Sequence, residues 1–270
     1  MYKNYSPKSE KLKKHIHHIS VLKQFNEPIS YLAFPQLGTT LALYQNAKLE
    51  LENKKITISD LPQTSPQILL LGKYNDPLHI NYHNFTPEIS INFSPTGLNY
   101  FFEKDTAKLA QHSGQLITNM SWLNLVKKLR TIPDTNKKIE SIELFLLDIL
   151  KDKDLTMLEN SITMFDSQPE LQISELAHQL KVSTKTINRW FVKYIGCTPT
   201  AYKQTLRFRK SIESKRKNPK QNLTTLCYDS DFYDSSHFSR EILKLTKMNP
   251  SHFFLDLKAV GDQNFPYKFL

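Results

Sequence analysis

Residues 173–202 read ISELAHQLKVSTKTINRWFVKYIGCTPTAY, and residues 223–253 read LTTLCYDSDFYDSSHFSREILKLTKMNPSHF. The two stretches align at an offset of 50 residues, which pairs Ile173 with Leu223, Leu176 with Leu226 and Ala177 with Cys227. One extra residue in the second stretch then moves the offset to 51. Ile187 now pairs with Phe238, Arg189 with Arg240, Phe191 with Ile242, Lys193 with Lys244, Pro199 with Pro250 and Tyr202 with Phe253. Agreement at so many structurally meaningful positions marks one supersecondary unit used twice.

Within the first unit, residues 173–180 place Ile173, Leu176, Ala177 and Leu180 on one helical face. Ala177 is small enough for a second helix to cross closely, and Cys227 is its small counterpart. Ser183 and Asp234 are suited to cap the helix that follows each turn. That helix carries Ile187, Trp190, Phe191, Tyr194 and Ile195 at i, i+3, i+4, i+7 and i+8, an inward stripe. Its opposite face offers Lys185, Asn188 and Arg189, with Thr184 at its start. Ser236, Ser239 and Arg240 fall at the equivalent places of the second unit, with Ser235 and His237 beside them. A polar, donor-rich outer face is what reading base edges requires: arginine reaches guanine bidentately, asparagine can do so with adenine, and serine is less selective. Two helix-turn-helix units, at about 173–195 and 223–246, are therefore expected, with these nine residues as the candidate contacts to double-stranded DNA. A helical bundle with a merely solvated outer face is the plain alternative, and the duplication speaks against it.

Charge placement points the same way. Residues 1–160 hold 19 Lys and Arg against 16 Asp and Glu, whereas residues 161–270 hold 17 against 10. Between Lys181 and Lys220 there are 12 basic residues and one acid, Glu213. A cationic stretch inside a patterned helical region favours a nucleic acid.

From about residue 155 to 257 the chain resembles the AraC/XylS-type DNA-binding domain of bacterial transcription regulators. GCTPTAYKQTLRFRKS, at 196–211, is similar to that family's Gly-x-Ser/Thr-Pro-x-x-Tyr followed by an Arg-rich helix. FYDSSHFSREILKLTKMNPSHF, at 232–253, is similar to its most specific signature: a phenylalanine, an Asp and Ser turn, Ser-His-Phe-Ser-Arg and a closing proline. Asp231, Lys181 and Lys247 stand where glycine is usual, and Ser214 with Lys215 replaces an apolar pair. The resemblance implies one long helix joining the units, from Pro199 to about Arg216, about 27 Å for 18 residues. That length suits two major-groove segments about one turn, roughly 34 Å, apart. It further implies a promoter site as target, activation more often than repression, RNA polymerase as partner of an activator, and a homodimer as a candidate assembly.

The first hundred residues read as strands. ISYLAFP (29–35), TTLALY (39–44), KLELE (48–52), KITI (55–58), QILLLG (67–72), LHINY (78–82) and EISINF (88–93) are short, partly alternating and separated by turn residues. A sandwich or small barrel is expected rather than a parallel sheet. Helical spacing follows at 121–130 and 136–150, broken by Pro133, and the charged KDKD of 151–154 is the expected joint. ESIELFLLDIL (140–150) is apolar on most faces and is expected in the core, with a dimerisation helix as the alternative. The fold class is thus α+β: residues 1–150 form a β-rich sensor or assembly domain with trailing helices, and 155–270 an all-α DNA-binding domain. FSPTGLNYFFEKD (93–105) makes the first part similar to cupin-like sensor domains of such regulators, with a turn at Gly97 into a short aromatic helix.

A small-molecule effector is the expected ligand of that domain, and no residue identifies it. His15, His17 and His18 cluster, and His79 and His83 would share a strand face, but no carboxylate pattern completes a metal site, so neither metal nor cofactor is expected. No catalytic residue is assigned. Gly-x-Gly-x-x-Gly, Walker, Gly-x-Ser-x-Gly and His-Glu-x-x-His motifs do not occur. A DNA-repair methyltransferase fusion would need a reactive cysteine outside the helical domain, and Cys197 and Cys227 both lie inside it. The polar MYKNYSPKSEKLKKHIHH start, the shortness of ILLLG (68–72) and the two cysteines lead to a cytoplasmic expectation with no membrane partner. A ligand-independent architectural or non-specific DNA binder is the rival function.

Overall fold

A computed structural model describes residues 2–62, 65–103, 114–255 and 267–269. Lys104 and Asp105, at the end of the FSPTGLNYFFEKD stretch, lie outside them. Nine strands come first: β1 (Tyr2–Tyr5), β2 (Ile16–Leu22), β3 (Ile29–Ala33), β4 (Thr39–Tyr44), β5 (Ala47–Glu52), β6 (Lys55–Asp60), β7 (Gln67–Leu71), β8 (Leu78–Tyr82) and β9 (Glu88–Phe93). A short helix α1 (Glu10–Lys13) sits between β1 and β2. All seven expected strands are present; β1 and β2 were not expected. Their sequences, YKNY and IHHISVL, carry charges and histidines that hide the strand pattern.

The strands form two sheets. One has the order β1-β2-β9-β4-β7-β10, where β10 is Gln115–Leu116. The other runs β11-β3-β8-β6-β5, where β11 is Tyr267–Phe269, and its β6–β8 pair is parallel. The last strand thus comes from the far end of the chain and pairs antiparallel with β3, opposite residues 31–33. Leu22, Tyr44, Ile58, Leu78 and Ile80 pack between the sheets. The outer face of the six-stranded sheet, with Ile19, Leu41, Ile89 and Ile91, buries against α2 (Met120–Arg130) and α3 (Thr135–Ile149). Ile139, Ile142 and Leu146 of α3 are buried there, yet Leu144 is 68% exposed, so this helix keeps one face outside the core.

At Gly97 the expected turn leads into a 3₁₀ helix, Gly97–Tyr100. A Cβ on Gly97 would lie 2.0 Å from the carbonyl oxygen of His15, so the approach of the two backbones requires glycine there.

The helical part follows: α4 (Thr156–Ser167), α5 (Ile173–Gln179), α6 (Thr184–Trp190), α7 (Pro199–Lys217), α8 (Leu223–Asp229), α9 (Ser235–Thr246) and α10 (Pro250–Leu255). α6 runs on into one wide π turn, Phe191–Ile195, ended by Gly196 at φ 85°. Among the described residues no helix is long and apolar enough to cross a membrane.

Candidate nucleic-acid interface

Each helical unit has its own core, and α7 belongs to both. Leu176, Ala177, Ile187, Phe191 and Ile195 of the first unit close on Tyr202 and Leu206 of α7. Leu226, Cys227, Phe238, Ile242 and Leu245 of the second close on Phe208 and Ile212, further along the same helix. Ala177 and Cys227 are buried at matching sites, as the aligned sequences require. A continuous 19-residue helix therefore fixes one unit relative to the other.

The turns are built as the repeat predicts. Ser183 Oγ accepts from the Thr186 N–H at 3.1 Å, and Asp234 Oδ1 from the His237 N–H at 2.8 Å, so both caps hold. The His237 N–H first, with the Ser236 N–H beside it, holds the Asp234 carboxyl below its usual range. Lys181, Asp231 and Lys247 adopt φ of 55°, 62° and 60°, the left-handed region that glycine would enter without strain. Ser214 and Lys215 do not pack as an apolar pair would. Ser214 Oγ donates to Gln221 Oε1 at 3.1 Å and Lys215 Nζ to the Gln221 carbonyl at 2.6 Å, tying the end of α7 to the loop before α8.

On the outer faces, Thr184, Lys185, Asn188 and Arg189 of α6 are exposed, as are Ser235, Ser236, Ser239 and Arg240 of α9. The structure thus brings the two predicted sets onto two helices that cap their own cores with the opposite side. Asn188 differs from a free reader: its Nδ2 donates to the Thr184 carbonyl at 2.9 Å, one turn back on its own helix. His237 differs more. It is half-buried, edge-on to Phe232 with centroids 5.6 Å apart, and its Nε2 lies 3.8 Å from Glu241 Oε1.

Sequence reading missed Glu241, a buried acid in the second unit. Gln204 Nε2 donates to its Oε1 at 3.0 Å and the Arg207 guanidinium lies 3.7 Å from its Oε2, so α7 grips α9 through this carboxylate. The arginine that braces the second unit is Arg207. Arg240 makes no ion pair among the described residues.

The β domain contacts this surface's support rather than its outer face. Leu32 and Phe34 enter the core of the second unit. Asn99 Nδ2 donates to the Tyr194 carbonyl at 2.8 Å, and Thr96 and Tyr100 donate to Glu159 Oε1 at 3.0 and 2.8 Å. Lys247, which ends α9, ion-pairs with Asp76 in the loop before β8, and Lys54 joins at 2.6 Å. Those two lysines, Lys247 first, hold the Asp76 carboxyl below its usual range. Cys227 is buried and burial raises both thiols, the opposite of what an activated nucleophile needs. His79 and His83 are exposed, and among the described residues no three His, Cys, Asp or Glu side chains are placed to share a metal ion.

Residues 176–255 match the family model described as a helix-turn-helix domain. That match spans both units, so this part of the chain carries a helix-turn-helix domain. Solved structures similar along most of the chain include ToxT from Vibrio cholerae O395, 16% identical, covering 92% of this chain and 100% of its own with a TM-score of 0.50. ToxT from Vibrio cholerae strain SCE256 with a bound unsaturated fatty acid is 12% identical, covers 91% and 97%, and scores 0.48. The AraC-like transcriptional activator CuxR is 12% identical, covers 71% and 72%, and scores 0.20. Identities this low speak to fold alone. No curated protein sequence matches the chain significantly.

Proposed function

We propose that this protein is a sequence-specific transcription regulator whose α6 and α9 read a promoter and whose β domain answers to a small effector. The observation that carries it is the pair of exposed, donor-bearing helix faces, Lys185 to Arg189 and Ser235 to Arg240, fixed to one continuous helix. Burial raises both described thiols, which supports a non-enzymatic role. Residues 1–150 act as the sensor and 155–270 as the reader. RNA polymerase is the partner of an activator, and a second copy is the candidate occupant of the Leu144 side of α3.

The support for effector control is the junction. Leu32 of β3 and Phe34 just after it enter the second unit's core, so a change in the β domain has a packed route to α9. The test is a gel shift and footprint of the full chain on its own promoter region, against shuffled DNA of equal length. Protection of a discrete site, with shuffled DNA bound at least about a thousandfold more weakly, is the expected result. Equal affinity for both, with a steep salt slope, would replace this reading by a non-specific binder.

A further inference from the structure

The two sheets enclose a cavity of about 50 Å³, room for a few waters or one small ligand. Its two sides differ in chemistry. The strands β1, β2, β4 and β9 turn Asn4, Ser20, Thr40, Ser90 and Asn92 inward. Ser20 Oγ donates to Asn4 Oδ1 at 2.8 Å, Asn92 Nδ2 to Ser20 Oγ at 3.1 Å and Thr40 Oγ1 to Asn92 Oδ1 at 2.9 Å. Ile56, Ile58 and Ile80 of the other sheet, with Leu69 and Leu71, make the rest apolar.

Glu88 sits in this cavity, 4% exposed. Its Oε2 accepts from the Tyr44 hydroxyl at 2.8 Å and from the Tyr82 hydroxyl; its Oε1 accepts from Ser90 Oγ and, at 3.4 Å, from the Tyr2 hydroxyl. Burial first, and the Glu88 charge next, raise all three tyrosines, so they remain protonated donors. Every one of these partners is neutral. No lysine or arginine lines the cavity among the described residues, and burial pushes His18, the one imidazole there, down to about 4. Lys138 lines a separate pocket of about 140 Å³ that Glu88 also borders, and no ion pair joins the two among the described residues. A carboxylate buried with hydroxyl partners but no counter-charge is an expensive arrangement, which a paired cation would relieve.

We infer that the barrel binds a small amine in its ammonium form, with its N–H groups on Glu88 and its short apolar body against Ile56, Ile58 and Ile80. This rests on the reading of the β domain as the effector domain, and it names the effector's class. An ammonium brings the missing charge and three donors, one of which takes the place of the stretched Tyr2 contact. The tyrosine hydroxyls, donating to Glu88, keep oxygen lone pairs free to accept the others. A carboxylate ligand of the same size would set two like charges together in a site of low polarity, which excludes it.

The test uses the full-length protein and three probes of equal chain length: n-butylammonium chloride, n-butanol and sodium butyrate, followed by calorimetry and by the shift in Tm. The ammonium is expected to bind at least about tenfold more tightly than either of the others. Glu88→Gln, checked for native circular dichroism, is expected to bring it within about threefold of butanol. Should that variant not fold, the three probes on the wild-type chain decide alone. Butyrate binding as tightly as the ammonium, no ammonium binding at all, or full selectivity retained in a folded Glu88→Gln would each overturn the assignment. Affinity for the protein's own promoter, measured with and without each probe, separates the two ideas. Ammonium binding that leaves DNA affinity unchanged removes the effector role and keeps the amine site; a response to butyrate alone keeps the effector role and removes the amine site.

Discussion

Phe34 of the β domain meets Phe253 of the helical domain edge to face, with ring centroids 5.0 Å apart and planes at 87°. Both rings are buried, and Phe253 also touches Phe208 of α7 at 5.7 Å. The core of the second helix-turn-helix unit is therefore completed by a residue from the β domain. Phe34→Ala is expected to cost about 3–5 kcal/mol, the loss of a buried aromatic together with the cavity it leaves. Because the ring is shared, protection of α9 amides against hydrogen exchange should fall together with that of β3. Loss confined to β3 would mean that the second unit closes its core without the β domain.

Three non-glycine residues end helices in the left-handed region, and Lys181 is the cleanest to test because it is exposed and makes no ion pair among the described residues. An L side chain there costs roughly 1–2 kcal/mol. Glycine gives back part of that through the freedom of its unfolded chain, roughly 0.5–1 kcal/mol. Lys181→Gly should then stabilise by about 0.5–1 kcal/mol at an unchanged denaturant slope. Gly196, at φ 85°, predicts the reverse: Gly196→Ala should destabilise by about 1 kcal/mol. A destabilised Lys181→Gly would place the value of that lysine in a contact rather than in its backbone.

What the sequence made legible, and what it hid, follows from which interactions are local. The two units declared themselves because helix period, caps and small crossing residues lie within twenty-odd residues of one another. Ser183, Asp234, Ala177 and Cys227 all sit where the aligned stretches place them. Seven strands were legible for the same reason. Glu241 was not, since its partners Gln204 and Arg207 lie on another helix, and a lone acid among exposed polar residues resembles any solvated one. Glu88 carried a signal that was read only in part. EISINF alternates polar with apolar, which normally means one wet face, yet every residue of β9 is buried and the polar side lines the barrel. β11 could not be foreseen, because it pairs with a strand more than two hundred residues away.

Arg189, Arg240 and Glu241 should separate by what each mutation damages. Arg189→Ala and Arg240→Ala, both on exposed positions, are expected to leave Tm unchanged and to cost about 1–3 kcal/mol on the specific site, with less effect on random DNA. Arg189 should be the costlier, since the neighbouring Asn188 has its amide engaged at Thr184 and starts from a bonded state. Lys220→Ala, in the loop between units, should weaken all sequences alike and flatten the salt slope. Glu241→Ala should instead lower stability, because it leaves Gln204 and the half-buried Arg207 without their partner. Should Arg189→Ala weaken random and specific DNA equally, that arginine is a phosphate contact.

Lys73 gives the junction a pH dependence. A β-domain residue whose charge interacts with Cys197 of the helical part, it donates to the carbonyls of Gln36 and Gly38, and burial lowers it to about 8 from its ordinary 10.5. A lysine depressed in the folded state is charged at a cost there and freely in the unfolded chain. That cost is complete below pH 8, shrinks as pH rises to about 10.5, and is gone above it, where both states are neutral. Lys73→Met should therefore raise Tm most below pH 8, with the gain over wild type fading toward pH 10.5. A gain that is flat across this range would mean that the side chain is well solvated in the folded protein.

The last expectation concerns the spacing of the DNA site. α7 spans 19 residues, about 28 Å, and carries the core of the first unit near its start and that of the second beyond Phe208. Two recognition helices held at that distance should enter successive major-groove segments on one side of the duplex, about 10 base pairs apart. One monomer's site should then be asymmetric, because Lys185, Asn188 and Arg189 offer different donors from Ser236, Ser239 and Arg240. His237 adds nothing to the second face while it remains against Phe232 and Glu241, so the first unit should discriminate more sharply. Five extra base pairs between the subsites would turn one of them by half a helical turn. A stiff α7 braced at Glu241 could follow only by distorting the DNA, at a cost of several kcal/mol. Footprinting on spaced sites is the direct check: affinity should drop at five inserted pairs and recover only in part at ten, where the faces realign but the distance does not. Undiminished binding at five would mean that one unit alone engages the groove, or that α7 bends in the complex.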